Sequence, residues 1–152
     1  MLSAIFGPPI KRFMPKKGPI ILVEDDKDDQ ELIAEIIQQS AYENELRIFN
    51  NGKEALDYLL SNSDRHFLIL CDVNLPKMNG MELKTRINEN DTLREKSIPF
   101  IFLSTTENPT FVKKAFGMSV QGFFNKPNNF NDLKIIVEMA LNYWKLCEYP
   151  GE

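Results

Sequence analysis

The sequence predicts a doubly wound α/β domain built on a five-stranded parallel sheet. From Pro19 onward, five short apolar runs alternate with stretches of helical period, the pattern of parallel strands joined by crossover helices. Three of the runs are apolar at every position, as strands covered by helices on both faces must be. At 152 residues and 43% hydrophobic content, the chain is the size of one domain with a closed core and leaves no room for a second.

The elements follow in order. Ile20-Ile21-Leu22-Val23 is the first strand. Asp28 with Glu31 three residues on reads as a capping box, and it opens a helix striped by Leu32, Ile33, Ile36 and Ile37. Leu46-Arg47-Ile48-Phe49 alternates and is expected at an edge. Asn51 precedes the helix carrying Ala55, Leu56, Leu59 and Leu60. Phe67-Leu68-Ile69-Leu70 is the third strand, and Asn79-Gly80 reads as a turn plus helix start. Phe100-Ile101-Phe102-Leu103 is the fourth, and with the first and third it should be central. Asn108-Pro109 puts proline where a first helical turn tolerates it. Gly122-Phe123-Phe124 is a short fifth strand, and Leu133, Ile136, Val137, Ala140, Leu141 and Trp144 stripe the last helix. Each stripe reads as core before it reads as a site.

The net charge of −4 hides an asymmetry. Lys11, Arg12, Lys16 and Lys17 lie in the first nineteen residues, which hold no acid; the rest keeps 14 basic against 22 acidic residues, a balance of −8. An acidic body is a poor fit to a phosphate backbone, which argues against nucleic acid as a partner. The tail resembles no secretion signal, because its cations follow the apolar stretch Leu2 to Phe6. No apolar run approaches the roughly 20 residues that cross a bilayer, so no membrane partner is expected. Residues 1–18 read as a flexible basic leader and 19–149 as the domain. Cys71 and Cys147 lie far apart without metal-ligand spacing, which points to a reduced, cytoplasmic setting. Cys71 should face the core opposite Asp72. His66 has no second histidine at ligand spacing and is expected to pack or face solvent.

Open parallel sheets bind ligands at the carboxyl ends of their strands. Glu24, Asp25 and Asp26 follow the first strand, Asp72 the third, Ser104, Thr105 and Thr106 the fourth, and Asn125, Lys126 and Pro127 the fifth. Any one of these acids would ordinarily be a helix cap, and a lone lysine is ordinarily solvated. Three carboxylates converging on one spot instead imply a proton or cation between them, and oxygen-only ligands favour Mg²⁺ or Mn²⁺. Around such an ion Lys126 and Ser104 could hold phosphoryl oxygens, and Asp72 could attack phosphorus to give an aspartyl phosphate.

The segments ILVEDD, LILCDVNLPKMNG, PFIFLSTTE and GFFNKP resemble, in the right order, the signature segments of CheY-like receiver domains of response regulators. The resemblance runs from about Ile20 to about Trp144 and implies the strand order 2-1-3-4-5. Carried over by residue, it makes Asp72 the phosphoacceptor. Asp25 would ligate Mg²⁺ directly, Glu24 through water, and Asn74 through its backbone carbonyl, with Mn²⁺ an accepted substitute. Ser104 takes the place of the switch hydroxyl, Lys126 that of the family lysine, Phe123 that of the rotating aromatic, and Pro127 is expected after a cis peptide. Thr105 stands where alanine is commonest, with Thr106 after it; both leave the phosphate lifetime open, and Phe123 lacks a tyrosine's hydroxyl.

The function so implied is phosphorelay signal transduction: Asp72 takes a phosphoryl group from a sensor histidine kinase or histidine phosphotransfer protein and partner binding changes. The protein would be a signalling domain and not an enzyme, assisting only its own phosphorylation and dephosphorylation, as a monomer or a phosphorylation-linked homodimer. With the sequence closing at Tyr149-Pro150-Gly151-Glu152 no output domain is expected, and the downstream target is open. The stretches EDDKDDQELI and CDVNLPKMNG with Tyr143-Trp144 resemble the stand-alone receivers that partner bacterial phytochrome kinases. Three rivals fare worse. An aspartyl-phosphate phosphatase would carry an acid where Asn74 stands, a nucleotide-binding domain would carry glycines where the first turn is acidic, and a receiver that had lost phosphorylation would not need every site residue competent.

Overall fold

The computed structural model describes residues 17–105 and 108–148. Five strands, β1 (Ile20–Val23), β2 (Leu46–Phe49), β3 (Leu68–Cys71), β4 (Phe100–Ser104) and β5 (Gly122–Asn125), form one sheet in the order β2-β1-β3-β4-β5. Every neighbouring pair is parallel. The helices are α1 (Lys27–Gln39), α2 (Gly52–Ser61), α3 (Gly80–Glu89), α4 (Asp91–Lys96), α5 (Pro109–Gly117) and α6 (Phe130–Leu146).

Successive strand residues point to opposite faces, so the all-apolar strands feed two cores. Ile21, Val23, Ile69, Cys71, Phe100 and Phe102 pack under α2 and α3, against Leu56, Leu59, Leu83 and Ile87. Ile20, Leu22, Leu68, Leu70, Ile101 and Leu103 pack under α1 and α6, against Ile33, Ile36, Leu133, Val137 and Leu141. Each fully buried Ile, Leu or Val is worth about 1.5–3 kcal/mol relative to exposure, which is why β1, β3 and β4 admit no polar residue before their carboxyl ends. β2 and β5, at the edges, stay only half-buried.

Two helix starts differ from the sequence reading. The first helix is capped not by an Asp28 capping box but by Asp26, which has an extended backbone and whose side-chain Oδ1 accepts the Asp29 N–H at 3.0 Å. Asp26 thereby caps the helix two residues before Asp28 could. The short helix α4 was unforeseen because six residues are too few to show a stripe. Asn90 caps it, Leu93 buries beneath it, and Ser97 closes it with a left-handed φ of 51°. Asn51 and Asn108 cap α2 and α5 as expected. No helix among the described residues is long and apolar enough to cross a membrane. Residues 1–16 of the expected leader and Tyr149 at the expected domain end lie outside the described residues. Gly18, inside the expected leader, accepts a hydrogen bond from the Asn44 side chain at 2.8 Å.

His66 packs in the loop before β3, 1% exposed, with Nε2 2.9 Å from the Tyr58 hydroxyl and its ring edge-on to that tyrosine. Burial, aided by Lys96, pushes its pKa down to about 4. The unfolded chain, with an ordinary histidine near 6.5, therefore binds the proton first on acidification. The contribution is complete above about pH 6.5 and is lost as the pH falls toward 4. Denaturant titrations at pH 7 and 4.5 are expected to show the parent losing about 2 kcal/mol more stability than a His66→Gln variant.

Candidate functional site

The carboxyl ends of β1, β3, β4 and β5 converge on one acidic pocket. The Glu24 N–H donates to the Phe49 carbonyl (2.9 Å) and the Asp72 N–H to the Val23 carbonyl (3.0 Å), so both acids are the next rungs of the ladder and inherit its rigidity. The Lys126 N–H donates to the Ser104 carbonyl (2.8 Å), which fixes the lysine opposite the serine. Gln30 braces the first loop from α1, its amide donating to the Glu24 carbonyl (2.5 Å) and to Asn50 Oδ1 (2.8 Å).

Within this frame Glu24, Asp25 and Asp72 each present a carboxylate oxygen within 4.8 Å of the others. Asp72 is 8% exposed. Its Oδ1 accepts the Ser104 hydroxyl (2.7 Å) and the Asn74 N–H (3.1 Å), and its Oδ2 lies 3.3 Å from Lys126 Nζ. The same ammonium donates to Glu24 Oε1 (2.5 Å) and Asp29 Oδ2 (2.9 Å). Glu24 Oε2 accepts the Asp26 N–H (3.2 Å). Burial pushes the Glu24 carboxyl up to about 7, against the downward pull of Lys126. Burial alone would lower the lysine, but the hydrogen bonds to Glu24 and Asp29 and the charge of Asp72 hold it above the ordinary lysine value. The ammonium is therefore kept charged, and it offsets part of the repulsion among the acids. An oxygen-only set of three carboxylates, two of them buried, suits a hard divalent cation.

The description "Response regulator receiver domain" matches residues 20–138. The chain belongs to the response regulator receiver domain family. Response regulator Rcp1 of Synechocystis sp. is 35% identical over 130 residues, 82% of this chain and 87% of that protein. Among solved structures, the phosphorylated cyanobacterial phytochrome response regulator RcpA superposes with a TM-score of 0.81 at 32% identity, covering 90% of this chain and 100% of that one. The Mn²⁺-bound form of Rcp1 gives 0.79 at 33% identity, covering 88% and 99%. As a receiver domain of a two-component response regulator, the protein has a histidine kinase as its kind of partner.

The receiver site gathers the expected Glu24, Asp25, Asp72, Ser104 and Lys126, with the Asn74 backbone alongside. Other expectations lie apart from it. Phe123 is half-buried on β5, its ring centroid 5.5 Å from that of Phe102. Thr105 is exposed, and Thr106 lies outside the described residues. The Lys126–Pro127 peptide is trans and not cis, the isomer an X-Pro bond prefers by about 0.5–1 kcal/mol. Cys71 is core, its thiol donating to the Asp72 carbonyl (3.1 Å), and burial pushes its pKa well up. Sequence reasoning missed Asp29 and Gln30. Once the helix starts at Asp26 its first turn faces the site, and placing the cap at Asp28 concealed them.

Gly80 opens α3 directly beneath Asp72. A Cβ there would sit 2.3 Å from the Asp72 carbonyl oxygen and 2.8 Å from the Phe102 ring, with backbone on one side and a packed aromatic on the other. Gly80→Ala is expected to cost about 2–4 kcal/mol, read as a lowered denaturation midpoint.

Proposed function

We propose that the protein is a phosphoacceptor switch in which Asp72 takes the phosphoryl group from a phosphohistidine of a sensor histidine kinase or histidine phosphotransfer protein. The observation that carries this reading is the setting of Asp72. It is a nearly buried carboxylate with a hydroxyl on one oxygen and an ammonium on the other, beside two further acids. A carboxylate is already ionised, so no general base is needed; the Asp72 O–P bond forms as the P–N bond breaks, and its electron pair leaves with the imidazole. Glu24, Asp25, Asp72 and the Asn74 carbonyl are the groups that would hold Mg²⁺ or Mn²⁺, as the Mn²⁺-bound relative supports. Such an ion supplies positive charge that offsets the phosphoryl oxygens. Lys126 neutralises one of those oxygens, and Ser104 donates its hydroxyl to another after leaving Asp72 Oδ1.

That departure is the switch. As Ser104 moves, the Phe123 ring turns inward against Phe102, and without a hydroxyl it signals by burial alone. The equilibrium between two existing surfaces shifts, and the reader docks on the face made by α5 and α6. Phe116 and Met139, both more than half exposed, lie on those helices. The likeness to RcpA favours a phytochrome-type kinase as donor. The unit that does this is residues 19–149, a cytoplasmic signalling domain working as a monomer or a phosphorylation-linked dimer.

Intact-mass spectrometry after incubation with Mg²⁺ and acetyl phosphate is expected to show a single phosphoryl adduct. EDTA or the Asp72→Asn substitution should abolish it. An adduct that survives in Asp72→Asn, or a parent that gains none and also fails to bind beryllofluoride, would sink the reading.

A further inference from the structure

Lys126 is shared unequally among three carboxylates. Its ammonium lies 2.5 Å from Glu24, 2.9 Å from Asp29 and 3.3 Å from the acceptor Asp72. Glu24 and Asp72 belong to the group that can hold a cation, and Asp29 stands outside it. The ammonium and a divalent ion therefore compete for the same oxygens. The competition is sharpest at Asp72 Oδ2, because Oδ1 is already engaged by Ser104 and Asn74. Asp29 offers the lysine a partner that is neither acceptor nor ligand. It reaches inward from the first turn of α1, its N–H fixed by the Asp26 cap, with its side chain 26% exposed against 6% for Lys126.

We propose that Asp29 is a positioning residue that holds the Lys126 ammonium back from the acceptor, keeping Asp72 Oδ2 accessible to a divalent ion and to phosphorus. This rests on the phosphoacceptor reading and deepens it. Asp29 touches no reacting atom and acts only through Lys126. Without it the ammonium closes onto Asp72 and Glu24. Once the phosphoryl group is in place its oxygens carry more charge than a carboxylate, and the lysine leaves Asp29 for them. An ordinary surface acid would instead act at a distance, on any cation, whether or not Lys126 were present.

The test is a double-mutant cycle, with Mn²⁺ affinity read by titration calorimetry and phosphoryl uptake from acetyl phosphate read by intact mass. Asp29→Asn is expected to weaken Mn²⁺ binding and slow uptake by about fivefold each. Asp29→Glu should stay within about twofold of the parent, and Asp29→Asn should have almost no further effect on Mn²⁺ in a Lys126→Met background. Equal losses with and without Lys126 would reduce Asp29 to a distant negative charge and overturn the proposal, as would an Asp29→Asn variant that matches the parent. If Lys126→Met does not fold, 1 M salt decides: a Debye length of about 3 Å removes a distant charge effect but not a buried contact. Loss of the Asp29→Asn defect in salt would then overturn the proposal. A parent that shows the Mn²⁺ cycle but takes no phosphoryl group would sink the phosphoacceptor reading and leave the placing of Lys126 by Asp29 standing. A parent that binds no Mn²⁺ would sink both.

Discussion

Acids of like charge cannot be gathered on the end of a sheet unless a cation is built in with them, and here that cation is Lys126. Its ammonium touches Glu24, Asp29 and Asp72, and with 6% of its side chain exposed it has little water to turn to instead. A buried acid stripped of its partner costs on the order of 3–5 kcal/mol, so the lysine is structural before it is functional. The strand carrying it must therefore be held in register with the strand carrying Ser104, and the Lys126 N–H bonded to the Ser104 carbonyl does this. Order at the carboxyl edge is a condition for closing the sheet.

The same register explains why so much was legible in the sequence. Strands buried on both faces leave an unbroken apolar run, and the first polar residue after each run must mark the sheet edge. Glu24, Asp72 and Ser104 could thus be placed with only the strand ends in hand, and the two-sided core followed from alternation within Ile20–Val23 and Phe100–Ser104. The edge strand β2 betrayed itself by Arg47, half-buried against Tyr58.

What stayed hidden lies one level down, in contacts that depend on where a helix begins and not on whether it exists. Asp26 and Asp28 are both competent caps, and a choice between them made on spacing alone turns the first turn of α1 by two residues. That turn decides whether Asp29 and Gln30 face the site or the solvent. The α4 segment escaped for a different reason, since one buried leucine and an asparagine cap leave no periodic trace.

Phe102 lies two residues before Ser104 on β4 and touches both the turn beneath Asp72 and the Phe123 ring. Its ring bounds the space beneath Gly80, where the loop after Asp72 turns into α3, and also lies tilted against the Phe123 ring. A tighter seat for Phe102 would firm the loop after Asp72 while stiffening the Phe123 ring, and a looser one would do the reverse. The rigidity of the site loop and the freedom of the β5 aromatic Phe123 are therefore coupled through one buried ring. Selection for a more durable fold is at once selection on the freedom of that aromatic.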